Sequence, residues 1–155
     1  MIGLLQRVRE ATVRVDGEII GEIGPGLLVL IGVQRADSEL EADRLLERLL
    51  TYRVFDDPDG RMNRSLLDTG GGLLLVSQFT LAAETRNGTR PGFSTAAVPA
   101  EGERLYDYVV AGARRQVGRV ATGRFGANMQ VSLTNDGPVT FWLEVPPRAS
   151  APAAT

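Results

Sequence analysis

The chain has 155 residues, 43% hydrophobic and 23% charged, enough for one globular domain with a real core. Cysteine and histidine are absent and all 17 basic residues are arginine, which excludes disulfides, thiolate or imidazole metal sites, Ser-His-Asp and Cys-His pairs, and lysine Schiff bases. The net charge of −2 excludes a uniformly basic nucleic-acid binder, so contact with nucleic acid needs a local arginine patch.

No apolar run reaches membrane-spanning length. Met1 to Val8, with Gln6 and Arg7, is too short and too polar for a secretory signal. The chain therefore reads as cytoplasmic by default. Gly3 to Val15 reads as strand, broken near Arg9-Glu10. Asp16-Gly17 between Ala11–Val15 and Glu18–Ile20 is a strong hairpin signal, because a type I′ turn needs positive φ at both central residues. Gly24-Pro25-Gly26 is a second turn. Leu27 to Val33 is continuously apolar, as in a strand buried on both faces or at an interface. Ser38-Glu39-Leu40-Glu41 is a capping box. The helix it opens puts Leu45, Leu46, Leu49 and Leu50 on one face.

Asp56-Asp57-Pro58-Asp59-Gly60 is a turn, without the spacing of a calcium loop. Met62 to Asp68 reads as an irregular connection. Gly70-Gly71-Gly72 leads into a buried strand, Leu73 to Val76, which ends abruptly in Ser77-Gln78-Phe79-Thr80. Glu84 to Phe93 is a loop in which Arg86 and Arg90 are exposed and suited to phosphate. Pro99 to Val117 is a second helix, capped by Gly118, and Arg119 to Gly123 a short strand. From Met129 to Thr134 and from Val139 to Glu144 apolar and polar residues alternate, which predicts two strands joined by a tight Asn135-Asp136-Gly137-Pro138 turn. A Gly-Pro step at such a tip presents two carbonyls with no donor between them. These elements predict an α+β domain, antiparallel and β-rich, with two helices packed on one side. Residues 1–145 form the domain, and 146–155 read as a Pro/Ala-rich disordered tail.

Ser77-Gln78-Phe79-Thr80-Leu81 and Thr134 to Thr140, taken together, resemble the two signature motifs of D-aminoacyl-tRNA deacylases. Supporting segments include Gln6-Arg7-Val8, Val15 to Glu18, Gly26 to Gly32, Arg53-Val54-Phe55, Met62-Asn63, Arg90-Pro91 and Thr122 to Ala127. The chain departs from the pattern at Ala82 and Gly92. The resemblance implies a barrel-like sheet in β/β/α layering and a homodimer with active sites at the subunit interface. Ser77, Gln78, Phe79 and Thr80 then line one subunit's pocket, with Phe125 and Met129 beside them. Gly137-Pro138, joined by a cis peptide bond, reaches in from the partner and excludes L-amino acids with main chain alone.

The implied reaction is hydrolysis of the ester between a D-amino acid and the 3′ adenosine of tRNA, with glycyl-tRNA also admitted. It implies a role in chiral proofreading during translation, with no cofactor, metal, membrane or DNA. Because no side-chain base is at hand, the adenosine 2′-hydroxyl and a positioned water are the expected participants, and Thr80 orients rather than attacks. Arg86 and Arg90 are the candidate tRNA contacts. The alternative is a non-catalytic module that binds tRNA ends or small ligands on the same fold.

Overall fold

The computed structural model describes residues 1–148. One long strand organises it. β1 (Ile2–Val15) gives one edge to two partners in turn: Ile2–Val8 pairs with β3 (Gly26–Gly32), and Ala11–Val15 pairs with β2 (Glu18–Ile23). Its other edge pairs along almost its whole length with β8 (Gln130–Glu144). The Asp16-Gly17 turn has φ of 50° and 80°, the positive values that the hairpin reading required.

Beyond β3 the sheet turns parallel. β3 pairs with β6 (Gly72–Ser77), and β6 with β7 (Val120–Thr122). The sheet is therefore mixed, in the order β2-β1-β3-β6-β7 with β8 on β1. The curl brings β2 back over β7 so closely that a Cβ on Gly21 would lie 2.4 Å from the Thr122 carbonyl oxygen. Glycine is what allows the near-closure, as in a barrel left open at one seam.

Three helices accompany the sheet: α1 (Glu39–Thr51), a short α2 (Leu66–Thr69) and α3 (Pro99–Arg114). Two helices were expected. The third, α2, falls where an irregular connection was read, and it carries its own capping box between Ser65 and Asp68. A two-strand ribbon, β4 (Phe55–Asp56) and β5 (Met62–Arg64), flanks the Asp57–Gly60 turn. α3 ends one turn earlier than the sequence suggested, with Arg115 rather than Gly118 at its C-cap.

The two faces of β3 and β6 explain their unbroken hydrophobicity. Leu27, Val29, Ile31, Leu73 and Leu75 pack under α1 and α3 against Leu45, Leu49, Leu105 and Val109. Leu28, Leu74 and Val76 point the other way, into the concave interior with Val8, Ala11, Val13 and Ile23. Each such side chain contributes about 1.5–3 kcal/mol when fully buried.

The expected C-terminal hairpin is not a hairpin. β8 is one strand, and both of its alternating halves pair with β1 rather than with each other. The register runs Gln6 to Thr140 and then Val8 to Asn135. Residues 136–139 therefore stand opposite Arg7 alone and are pushed out as a wide bulge. The break read near Arg9-Glu10 in β1 corresponds to the second register shift, between Val8 and Glu10.

Of the tail expected from Pro146 onward, residues 149–155 lie outside the described part. Its first residues follow the domain: the Val145 N–H donates to the Met1 carbonyl at 2.8 Å and the Arg148 N–H to Glu41 Oε1 at 3.1 Å. Glu41 is 3% exposed. Burial alone raises its pKa, but hydrogen bonds from the Ser38 hydroxyl and the Arg148 and Ser38 N–H groups outweigh it and hold it at about 2, against 4.5 ordinarily. A depressed carboxylate stabilises the fold above its unfolded pKa, and that contribution is lost as pH falls through the folded value. Glu41→Gln should therefore unfold at lower urea than the wild type above pH 4.5, with the gap narrowing as pH falls to about 2. A gap that stays constant across that window would show that the carboxylate's charge is not what stabilises this corner.

Candidate active site

The parallel run of β6 ends at Ser77, whose row continues through Ile31 and Gly3 to Leu143. Past Ser77 the chain leaves the sheet in a single 3₁₀ turn, Phe79–Ala82. Gly32 permits this, since a Cβ there would meet Leu81 Cβ at 2.9 Å and the Gln78 carbonyl oxygen at 3.3 Å. The Gln78 N–H is used, donating to Ile31 O at 2.7 Å. The N–H groups of Phe79 and Thr80 open the turn, so neither has an acceptor inside it, and Gln78 supplies no side-chain cap. The Gln78 side chain instead donates to the Thr80 hydroxyl.

A cavity of about 420 Å³ lies beside this turn. Ser77, Gln78 and Phe79 form one wall, Phe125 and Met129 another, and the first turn of α3 the floor. Gly102 faces Phe125 here: a Cβ at position 102 would sit 3.6 Å from the ring, in ordinary van der Waals contact. Met129 is held by the preceding loop, its sulfur accepting from the Arg124 N–H at 3.4 Å. Five of the residues expected at the site thus come together. Thr80 does not join them. It is exposed and lines a neighbouring groove with Ile2, Trp142 and Arg86.

Tyr106 is the titratable lining residue that the sequence does not reveal. Its hydroxyl donates to Leu75 O at 2.7 Å, a carbonyl that also accepts from the Gly123 N–H at 3.1 Å. Burial, helped by the neighbouring Asp107, pushes its pKa well above the ordinary tyrosine value. It is the only titratable group lining the cavity among the described residues. Nothing in the sequence separated it from a core aromatic on α3, which it also is.

Gly137 and Pro138 are exposed and far from this cavity within one chain. Their bulge stands opposite Arg7, whose row runs through Leu27 to Leu73. That is four residues along the strands from the Ser77 row, about 13 Å, and across three strand spacings of about 4.8 Å. The peptide bond between them is cis. The bulge is pinned from both sides. Arg7 Nε donates to Asp136 O at 2.8 Å and Arg7 Nη1 to Val54 O at 2.7 Å. Asn135 bridges the base, accepting from the Val139 N–H at 2.6 Å and donating to Thr140 Oγ1 at 2.9 Å.

Arg86 and Arg90 both sit on the exposed loop. Arg86 is tied to its own loop, with its N–H 2.8 Å and its guanidinium 3.7 Å from Glu84 Oε1. Phe79 and Phe93 are 59% and 43% exposed with ring centroids 5.2 Å apart, and Trp142 is 51% exposed. These aromatics form an apolar rim around the motif.

A curled mixed sheet backed by helices, with a cavity walled by a hydroxyl, an amide and unused main-chain donors, defines an α+β protein with a small-ligand cleft at one sheet end. The family described as D-Tyr-tRNA(Tyr) deacylase matches residues 4–144. The chain is 67% identical over 144 residues to the D-aminoacyl-tRNA deacylase of Stutzerimonas stutzeri (strain A1501), covering 93% of this chain and 99% of that one. It is 67% identical over 147 residues to the enzyme of the same name from Thioalkalivibrio sulfidiphilus (strain HL-EbGR7), covering 95% and 99%. Among solved structures, the c-Myc DNA Unwinding Element Binding Protein superposes with a TM-score of 0.90 at 38% identity, over 94% of this chain and 99% of that one. A structure described as a probable eukaryotic D-amino acid tRNA deacylase shares the fold, with a TM-score of 0.80 at 17% identity over 93% and 98%. The chain belongs to the D-Tyr-tRNA(Tyr) deacylase family.

Proposed function

We propose that the protein is a D-aminoacyl-tRNA deacylase: it hydrolyses the ester between a D-amino acid and the terminal adenosine of tRNA. Family membership over residues 4–144 supports the reaction, and one geometric observation supports the arrangement. Ser77-Gln78-Phe79 walls a cavity of about 420 Å³, while Gly137-Pro138 projects from the middle of β8, away from that cavity. One chain cannot bring the two motifs to one ligand. A two-fold dimer can, because each subunit then lends its bulge to the other's cavity. The exposed rim of Phe79, Phe93 and Trp142 gives that dimer an apolar surface to bury.

In this assembly the cavity takes the terminal adenosine. A volume of this order suits a small planar ligand, and Phe125 supplies an aromatic ring to the wall. The Gly137 and Pro138 carbonyls, on a bulge held in place by Arg7 and Asn135, accept from the substrate ammonium. The same rigid main chain leaves no space for a side chain of L configuration, whereas a D side chain points away and glycine has none. Selection is by exclusion, so many D-amino acids, and glycine, pass. The N–H groups of Phe79 and Thr80 take the developing oxyanion, each worth on the order of 3 kcal/mol. Residues 1–145 act as the catalytic unit, in the cytoplasm alongside tRNA.

The direct test is release of amino acid from D-Tyr-tRNA and L-Tyr-tRNA assayed side by side, with EDTA present. The D ester should disappear and the L ester persist. Equal loss of both would retain ester hydrolysis and reject selection by main chain. Loss of neither would reject the enzyme and leave a module that binds tRNA ends.

A further inference from the structure

The acceptor end of a tRNA carries a phosphate at every residue, yet the protein's net charge is −2. Five of its 17 arginines are engaged in ion pairs. Arg7, Arg9, Arg44, Arg86 and Arg104 each pair with at least one carboxylate within 4 Å. One stretch is different. Between Asp107 and Asp136 the chain carries four arginines (Arg114, Arg115, Arg119 and Arg124) and no carboxylate at all. All four are exposed.

The fold gathers this stretch at the open seam of the sheet. A groove of about 560 Å³ runs between β2 and β7, with Arg114 and Arg119 in its wall. Each is held by one hydrogen bond to main chain: Arg114 Nη1 to Val120 O at 3.2 Å, and Arg119 Nη2 to Glu22 O at 2.8 Å. A guanidinium has five N–H donors, so each keeps several free while its position is already fixed. That lowers the entropic cost of taking a phosphate. Glu22 is the one acidic residue lining the groove, so the local balance stays positive. The strip also leads to the cavity. β7 runs directly into Arg124 and then Phe125, which forms the cavity wall.

We infer that this strip, from Arg114 to Arg124 along the β2–β7 groove, holds the phosphates of the tRNA acceptor stem whose 3′ end enters the cavity. The inference rests on the deacylase reading and names the surface that this reading leaves open. It favours the strip over the Arg86–Arg90 loop, where the Glu84 carboxylate lies 3.7 Å from the Arg86 guanidinium.

The test compares the double variants R114Q/R119Q and R86Q/R90Q with wild type. Binding of uncharged tRNA is measured against salt concentration, and hydrolysis is measured on D-aminoacyl-tRNA and on a D-aminoacyl ester of adenosine, which has no phosphate. Loss of two phosphate contacts should lower the slope of log K against log salt by about 2. R114Q/R119Q should show that change and a raised KM for D-aminoacyl-tRNA, with turnover of the short ester at the wild-type level. Unchanged tRNA affinity and slope would overturn the inference, as would an equal loss on the short ester or a loss confined to R86Q/R90Q. If wild type hydrolyses neither ester but the strip variant still loses tRNA affinity, the deacylase reading fails and the strip stands.

Discussion

A heterodimer of two individually inactive subunits is expected to regain activity. The first variant is Gly102→Leu. A Cβ at this position already lies 3.6 Å from the Phe125 ring, so a leucine extends from α3 into the cavity and closes it. The second is Gly137→Val, at φ +146° in the exposed bulge, where a Cβ would lie 2.6 Å from Val139 Cγ2 and 2.9 Å from the Val139 N. The bulge must move to accept it, and a displacement of about 1 Å in a positioning element costs on the order of 100-fold. In the proposed cross-subunit dimer each homodimer has two defective sites and should lose at least that much.

The heterodimer differs. One of its sites joins the blocked cavity to the displaced bulge, and the other joins an intact cavity to an intact bulge. With two-fold symmetry, about half of the wild-type activity returns. Co-expression with two affinity tags isolates the species, and hydrolysis of D-Tyr-tRNA reads it out. A heterodimer as inactive as its parents would mean that no site joins the cavity of one subunit to the bulge of the other, and would sink the cross-subunit arrangement.

The local signals in the sequence were legible because they concern neighbours in the chain. Asp16-Gly17 and Ser38 to Glu41 act within a few residues, and both behave as read. The two-faced burial of Leu27 to Ile31 and of Leu73 to Val76 was visible too, since only a strand covered on both sides lacks polar alternation. What stayed hidden depends on partners far along the chain. Nothing in β3, β6 and β7 announces that they pair in parallel. In β8 the alternation is the same whether its halves pair with each other or both with β1, so the hairpin and the bulged strand were indistinguishable.

Ser77, Gln78, Phe79, Phe125 and Met129 line one cavity. Thr80 faces the adjoining groove, because the 3₁₀ turn rotates it away from its neighbours. Tyr106 was unreadable for the opposite reason: its polar tip does its work on a main-chain carbonyl deep in the core. The Ser65–Asp68 capping box was present in the sequence and passed over, hidden in a segment too short to show helical periodicity.

Removing the substrate's own 2′-hydroxyl is expected to cost more than removing any cavity side chain. A general base has to titrate near the working pH and reach the proton it takes. Histidine, cysteine and lysine are absent from the chain. Tyr106, the titratable residue lining the cavity, has its pKa raised by burial and its hydroxyl committed to Leu75 O. It is a poor base and a settled donor. The Thr80 hydroxyl accepts from Gln78 and makes no hydrogen bond to a carboxylate among the described residues, so the proposed mechanism has it orient rather than attack.

That leaves the nucleophilic water to be activated by what the substrate brings, and the vicinal 2′-hydroxyl of the terminal adenosine is adjacent to the ester. D-aminoacyl-tRNA ending in 2′-deoxyadenosine should therefore turn over slower by 10² or more, a factor on the order of that supplied by acid–base catalysis. Thr80→Ala should lose roughly tenfold or less, about one hydrogen bond's worth. Single-turnover rates on both substrates decide the matter, because they exclude product release. A deoxy substrate cleaved at the normal rate, together with a Thr80→Ala enzyme crippled by several orders of magnitude, would make Thr80 the nucleophile and require a base that this cavity does not display.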